Sequence, residues 1–315
     1  MTADMRKSLL LHGGVLLGLL ALQYVLPAYH HGNLARVMVL ASYAMGYNLL
    51  FGYTGLLSLG HALFFAAGLY GTGLAISQFG VSAGVALAVG VLFGTLVGIV
   101  IGALALRTEG VAFMIVTLMF AQAGYLTILY FGQYTRGDEG FVIALADRNI
   151  SGWDLSDPSV RYFAAFIVFS AALLMCLTVV KSRFGKVLIA IRENEERARM
   201  LGYNVDRFKL AAIGLSASLA ALSGAAYGVL FGYVGASFAS VQYSILPLLW
   251  VLLGGAGTVL GPLVGTLFMF YLIDLSSGIT TAYMLIAGVV LVFLTLFAPQ
   301  GLMGELRRRA IRWLP

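Results

Sequence analysis

The sequence predicts an all-α, polytopic membrane protein with about ten transmembrane helices, or eight to nine if some segments are broken or re-entrant. Three observations carry this. Of 315 residues, 61% are hydrophobic and only 10% are Asp, Glu, Lys or Arg, where a soluble domain carries about 25%. Long stretches without any charge recur along the chain, and ~17–25 apolar residues make one span. The basic residues gather in a few of the intervening loops.

The uncharged run 8–35 holds one span. Arg6-Lys7 followed by an apolar run resembles a secretory signal, but no small-x-small cleavage pattern follows Leu26-Pro27-Ala28-Tyr29. The run is therefore read as an uncleaved first span. Residues 37–106 hold three spans, 110–135 one, 162–180 one, 210–273 three tightly packed ones and 275–304 the last. Asp157-Pro158-Ser159 reads as a turn or helix start before span six.

Charge placement orients these spans, because Lys and Arg favour the cytosolic side of short loops. Arg6 and Lys7 put the N-terminus inside. The loop 132–159 carries Asp138, Glu139, Asp147, Asp154 and Asp157 against Arg136 and Arg148, and is predicted to be extracytoplasmic. The loop 181–209 holds eight of the 19 basic residues and is predicted to be cytosolic, as are Arg307, Arg308, Arg309 and Arg312. The expectation is an even number of spans with both termini cytoplasmic. The net charge of +6 then reflects topology and contact with anionic lipid. Nucleic acid is not an expected partner, since no large soluble basic surface exists to hold it. The loop 132–159 is too short to bury a core of its own, so residues 1–315 read as a single transmembrane domain. Cys176 is the sole cysteine, which leaves no disulfide or metal framework.

Residues 182–209, SRFGKVLIAIRENEERARMLGYNVDRFK, are the least lipid-compatible part of the chain. Each charge at bilayer depth costs at least ~2.5 kcal/mol, so the segment lies in water or against a partner. Val187, Ile191, Asn194, Ala198 and Leu201 recur at helical spacing and predict one continuous helix face. Arg192 with Glu196, Glu193 with Arg197 and Glu195 with Arg199 are opposite charges at i,i+4, each contributing ~0.2–0.5 kcal/mol to a helix. Gly202 is placed to end that helix in a left-handed conformation. Asp206 reads as the N-cap of the following span, with Val205 and Leu210 as a hydrophobic staple.

Glycines recur every fourth residue at Gly90–Gly102, Gly224–Gly232 and Gly257–Gly265, a spacing that lets helix backbones approach closely. The pattern suits packing within the chain or a subunit interface. Two segments have broken-helix character, 52–61 and 254–262. Such breaks persist at membrane depth only where the backbone is buried in protein or lines a cavity. In transporters they mark the translocation route, which is one reading of 52–61. For 254–262 a tight cytosolic turn between spans eight and nine is expected.

Several function classes lack their residues. No G-x-x-x-x-G-K-[ST] loop is present, so the chain is not expected to hydrolyse nucleotide. No His/Cys/Asp/Glu cluster has metal-ligand spacing, and no Ser-His-acid or paired-carboxylate pattern argues for an enzyme. His61, beside Ser58, is either a substrate or proton site or a hydrogen-bonded histidine of a packed bundle. Asp274 is a lone acid in a long apolar run, a functional candidate by default, although its position near the outer end of span nine suggests an interfacial role. An ion-coupled secondary carrier or channel would have to use Asp274 or His61, since the chain offers few other ionisable groups at membrane depth. Energy coupling therefore points to the 182–209 segment.

The residues of that segment carry a resemblance. Ser182-Arg183-Phe184-Gly185-Lys186, then Ala190-Ile191-Arg192-Glu193-Asn194-Glu195, then Ala198 through Leu201-Gly202, and Lys209 resemble the coupling loop of the M-type permease subunit of branched-chain amino acid ABC importers. Asn48 through His61 is similar to that family's N-terminal signature. Leu252 through Thr258 with Gly261-Pro262, and Phe297-Ala298-Pro299-Gln300-Gly301-Leu302, are similar to its C-terminal ones. Three positions depart: Gly185-Lys186 stands where Gly-Arg is usual, Thr135-Arg136-Gly137 where Thr-Gly-Gly is frequent, and Ala220-Ala221 where Ala-Gly is common.

The resemblance implies a type II-like ABC importer permease in a bacterial inner membrane, with a short cytosolic coupling helix between spans six and seven. It implies a second permease subunit, two cytosolic ATPase subunits and a periplasmic or lipid-anchored substrate-binding protein. ATP and Mg would sit on the ATPase subunits, with no cofactor in this chain. The expected substrates are branched-chain or other small apolar amino acids, with urea or short amides as the alternative within the family. ATPase contact falls to Ala190, Ile191, Arg192, Glu193 and Asn194, with Gly185 and Gly202 as hinges or caps. The translocation path is assigned to Gly55, Ser58, Gly60, His61 and Thr117, and binding-protein contact to Asp138 and Glu139.

Overall fold

A backbone in lipid must satisfy its hydrogen bonds internally, so the uncharged runs become helices. The structure, a computed structural model, describes residues 3–149, 152–155 and 157–309. The helices are α1 (Ala3–Val25), α2 (Ala28–Asn48), α3 (His61–Phe79), α4 (Ala83–Ala105), α5 (Val111–Tyr130) and the short α6 (Gly132–Thr135). They continue with α7 (Pro158–Lys181), α8 (Arg183–Glu193), α9 (Glu195–Met200), α10 (Val205–Phe231), α11 (Val241–Gly254), α12 (Gly261–Ser277), α13 (Tyr283–Phe297) and α14 (Gly301–Arg309). A π-helical segment, Leu49–Tyr53, extends α2. Two-residue strands β1 (Phe141–Val142) and β2 (Tyr233–Val234) complete the described elements.

Among the described residues, seven helices are long and apolar enough to cross a membrane, and three shorter apolar helices (α11, α12, α13) follow. These ten equal the number of spans read from the six uncharged runs, although α2, α7, α10 and α12 extend past the runs to include Arg36, Arg161, Asp206 and Asp274. The architecture is that of an all-α polytopic membrane protein. Two of the last spans are shorter than expected: α11 has 14 residues and α13 has 15, rises of about 21 and 23 Å against a hydrocarbon core of ~30 Å. The chain before α11 runs through β2 and a 3₁₀ turn at Ala236–Ala239.

The core centres on α2 and α10, both deeply buried, with α3 and α4 packed on α10 and α7 on α2. The α4 glycines set the closest approach. Gly90, Gly94, Gly98 and Gly102 are all buried on one face. A Cβ at Gly94 would stand 2.5 Å from the Ala221 Cβ, and one at Gly102 2.7 Å from Ile213. Opposite them, a Cβ at Gly68 would overlap the Ala221 carbonyl oxygen. This stripe is packing within the chain.

One end of the bundle carries the loop 106–110, α8 and α9, the turn 255–260 and α14; we call it the basic face. The opposite face carries the loop 131–157. That loop is not free-standing: β1 pairs antiparallel with β2, Phe141 opposite Val234 and Val142 opposite Tyr233. The Ile143 amide donates to the Gly232 carbonyl at 2.7 Å, and Arg148 reaches the Val229 and Leu230 carbonyls at the end of α10. Asp157 caps α7 by accepting from the Ser159 amide at 2.8 Å, with Pro158 in the first turn. Asp274 lies in the last turn of α12 on this same face and accepts from the Tyr29 hydroxyl at 3.2 Å.

Candidate functional site

The charged loop folds as two helices rather than the single one its periodicity predicts. Ser182 caps α8 by accepting from the Gly185 amide at 3.2 Å. The helix ends at Asn194, whose backbone is extended at φ −160° and ψ 105°. Asn194 then caps α9, accepting from the Arg197 amide at 2.8 Å, and Glu195 and Glu196 occupy the first turn. A side chain that competes for backbone donors, followed by two acids at a helix N-terminus, favours a restart over continuation. The predicted face is corrected accordingly. Val187, Ile191 and Ala198 are buried with Val205, while Asn194 and Leu201 are exposed.

Other local expectations change too. Asn204, not Asp206, is the N-cap of α10, accepting from the Arg207 amide at 3.2 Å. Of the three i,i+4 pairs, only Glu195–Arg199 forms, at 2.9 Å; the break at Asn194 separates the partners of the other two. Gly202 does end α9 with φ +86°. Its amide bonds Arg199 and the Tyr203 amide bonds Ala198, the paired pattern of a Schellman ending. Gly185 is buried inside α8 against the Val179 and Val180 carbonyls, so it serves close approach.

The two short helices are fixed to the bundle. Phe184 stacks on Phe208 of α10 at 5.5 Å. Lys209 donates to Glu195 at 2.5 Å, and Arg199 bridges Glu195 and Asp206, the latter at 3.2 Å. Burial raises the Glu195 carboxyl, and the hydrogen bonds from Lys209 and Arg199 outweigh it and hold the group below its ordinary value.

Of the residues assigned to ATPase contact, Arg192, Glu193 and Asn194 are exposed, Ala190 is half-buried, and Ile191 is buried. Gly202 is exposed with open space around it. The Arg192 guanidinium turns inward and donates to the carbonyl oxygen of Gly52 in the π-helical segment. Gly55, at φ +79°, lies under the Arg192 side chain, where a Cβ would be 3.0 Å from its Cγ. Arg192 also abuts Gly257. Asn48 fastens this region by donating to the Thr258 carbonyl at 2.8 Å and accepting from the Gly257 amide at 2.9 Å. Sequence reasoning missed Gly52, Asn48 and Gly257 as one unit. Asn48, a buried amide in an apolar helix, was the available signal.

From Gly55 the chain runs without helix to Gly60, a true break. A cavity of about 540 Å³ lies beside Gly55, bounded by Glu109 and Met114 at the start of α5 and by Glu193 and Asn194. Beyond it the segment is closed. Ser58 is buried and accepts from the Gly60 amide at 3.2 Å. Thr117 accepts from the Leu59 amide at 3.2 Å, and a Cβ at Gly60 would stand 2.5 Å from the Thr117 carbonyl oxygen. His61, fully buried at the start of α3, pairs its Nε2 with Ser216 Oγ at 2.8 Å. The next amide, Ala62, donates to Ser244 in the first turn of α11 at 3.0 Å. The N-terminal ends of α3 and α11 therefore meet inside the bundle, each preceded by non-helical chain. Gly55, Ser58, Gly60 and His61 thus fall on one continuous segment, and Thr117 of α5 packs against it. Asp138 and Glu139 are exposed on the opposite face. Among the described residues, no group of three or more His, Cys, Asp or Glu is positioned to hold a metal ion.

Comparison with known proteins matches this architecture. The family described as branched-chain amino acid transport system / permease component matches residues 31–297. The high-affinity branched-chain amino acid transport system permease protein LivM of Escherichia coli (strain K12) is 26% identical over 292 residues, covering 86% of this chain and 69% of that protein. The probable branched-chain amino acid transport permease protein LivM of Methanocaldococcus jannaschii is 26% identical over 180 residues, 52% of this chain and 50% of that protein. The LivH permease protein of the Escherichia coli (strain K12) system is 28% identical over 145 residues, 44% of this chain and 46% of that protein. No solved structure matches. A match to both LivM and LivH is in keeping with a permease pair. With 31–297 matched, the chain belongs to the family of branched-chain amino acid transport system permease components, the multi-pass membrane subunits of ABC importers.

Proposed function

We propose that the chain is the membrane subunit through which branched-chain or other small apolar amino acids cross the inner membrane. A binding protein delivers them, two cytosolic ATPase subunits supply the energy, and a second permease pairs with this one. Both termini and the basic face lie in the cytoplasm, in accord with the excess of Lys and Arg there. The chain itself performs no hydrolysis.

The observation that carries this reading is the tie between Arg192 and the Gly52 carbonyl. It joins the charged loop to the point where α2 unwinds into the 54–60 segment. Exposed Glu193 and Asn194 offer the ATPase a surface, with Ala190 beside them. The α8–α9 module rests on its own small core and on Phe208, so a push on it moves Arg192 as a unit. Arg192 then shifts the Gly52–Gly55 backbone, and the Ser58–Gly60 closure on Thr117 opens or reseals. The lining offers hydroxyl and backbone groups, which suits a solute handed over rather than held tightly. Asp138 and Glu139 are available to the binding protein.

The test is uptake into proteoliposomes. The assembled system should accumulate radiolabelled leucine only with ATP, both ATPase subunits and the binding protein. Uptake by this subunit alone, driven by an ion gradient, would overturn the reading.

A further inference from the structure

A second cavity on the basic face, of about 690 Å³, lies between α8, the 255–260 turn and α14. Arg192, Arg307, Arg308, Gln300, Thr258 and Gly257 line it. We propose that it binds a phosphate monoanion, and that the source is the headgroup of an anionic phospholipid of the cytoplasmic leaflet.

The charge balance favours an anion. Glu305, the acid of α14, is taken by Arg308 at 2.6 Å and Arg309 at 2.5 Å. Arg192 and Arg307 donate only to main-chain carbonyls, of Gly52 and, at 3.3 Å, of Gly257. Among the described residues neither has a carboxylate partner. Two guanidinium groups without counter-ions beside a void suit bidentate phosphate recognition. The walls favour a large guest, since Gly257 and Gly304 contribute no side chain.

The surroundings choose the lipid over a free ion. The cavity wall includes Pro299, two residues beyond the end of α13. That helix ends in the stacked pair Phe293 and Phe297, and Leu296 and Phe297 are more than two-thirds exposed. An apolar helix end leading into an arginine pocket gives acyl chains and headgroup separate places, as in basic pockets between helices on the cytoplasmic side. The site also touches Arg192, so an occupying lipid sets the charge around the coupling contact. Retention of lipid is read without ATP, so this proposal stands or falls separately from the transport reading.

The assembled transporter is reconstituted in bilayers of phosphatidylcholine with about a quarter phosphatidylglycerol, stripped in detergent, and its retained lipid counted by native mass spectrometry. Arg307→Gln with Arg308→Gln should lower retained phosphatidylglycerol ~10-fold, given the affinity each arginine near the surface adds. Lys7→Gln with Arg107→Gln, which removes the same charge elsewhere on the face, should not. Gln300→Glu, which adds a negative charge without removing an arginine, should also lower it. Equal retention by all variants overturns the proposal. So does binding of inorganic phosphate that phosphatidylglycerol fails to displace. If the cavity variants lose their ATPase subunits while keeping lipid, the cavity receives an acidic side chain of that partner, and the lipid assignment is wrong.

Discussion

Arg192, near the end of α8, donates its guanidinium to the Gly52 carbonyl at the π-helical end of α2, 140 residues earlier in the chain. A hydrogen bond from a charged donor contributes ~1.5–3 kcal/mol, and this one spans the junction between the charged loop and the helix break. Arg192→Ala should therefore lower ATP-driven uptake at least ~10-fold while leaving the amount of folded membrane protein unchanged. Uptake assays beside detergent-solubilised yield check this.

The restart of the helix at Asn194 depends on its cap to the Arg197 amide. Asn194→Ala should cost ~1 kcal/mol and lower the thermal unfolding midpoint. Asn194→Asp should hold it near the wild-type value.

Gly202 adopts φ +86° and donates its amide to the Arg199 carbonyl. Proline is fixed near φ −65° and has no amide hydrogen, so Gly202→Pro destroys the end of α9. Uptake should be abolished while the spans still insert, which membrane fractionation and protease protection will report. Glu193→Lys, exposed on α8, should abolish uptake by breaking the proposed ATPase contact alone.

Much of this was legible in the sequence. The ten apolar segments are strong signals because charge is excluded from lipid at any position along a span. The α4 glycines were legible as close packing, although only Ala221 and Ile213 show against what. The broken character of 52–61 was visible in its glycines. The break at Asn194 was not, because a capping asparagine inside a helical pattern is invisible to periodicity. The non-helical entry to α11 at 232–240 was also missed, since a long uncharged run does not say where its helices start. The Arg192–Gly52–Gly257 convergence joins three distant segments, which local patterns do not encode.

Arg136 holds a left-handed backbone, φ +62°, on the opposite face. That conformation costs a non-glycine residue ~1 kcal/mol or more. Because glycine's added unfolded-state entropy offsets part of that cost, Arg136→Gly should leave stability unchanged or raise it by up to about 1 kcal/mol. Thermal unfolding checks the sign.

Glu195 is held below its ordinary value by Lys209 and Arg199, against the effect of burial. A depressed carboxyl stabilises the fold above its unfolded value and loses that contribution as pH falls. The gap in unfolding midpoint between wild type and Glu195→Gln should be full at neutral pH. It should shrink as pH drops below 4.5 and vanish once Glu195 is protonated in the folded protein.

The most direct measurement takes Arg192→Ala in the reconstituted transporter and records ATP hydrolysis and leucine uptake in the same vesicles. The account predicts that hydrolysis continues while uptake collapses, because the motor is intact and its link to the Gly52–Gly60 segment is cut. Uptake per ATP equal to that of the wild type would contradict it.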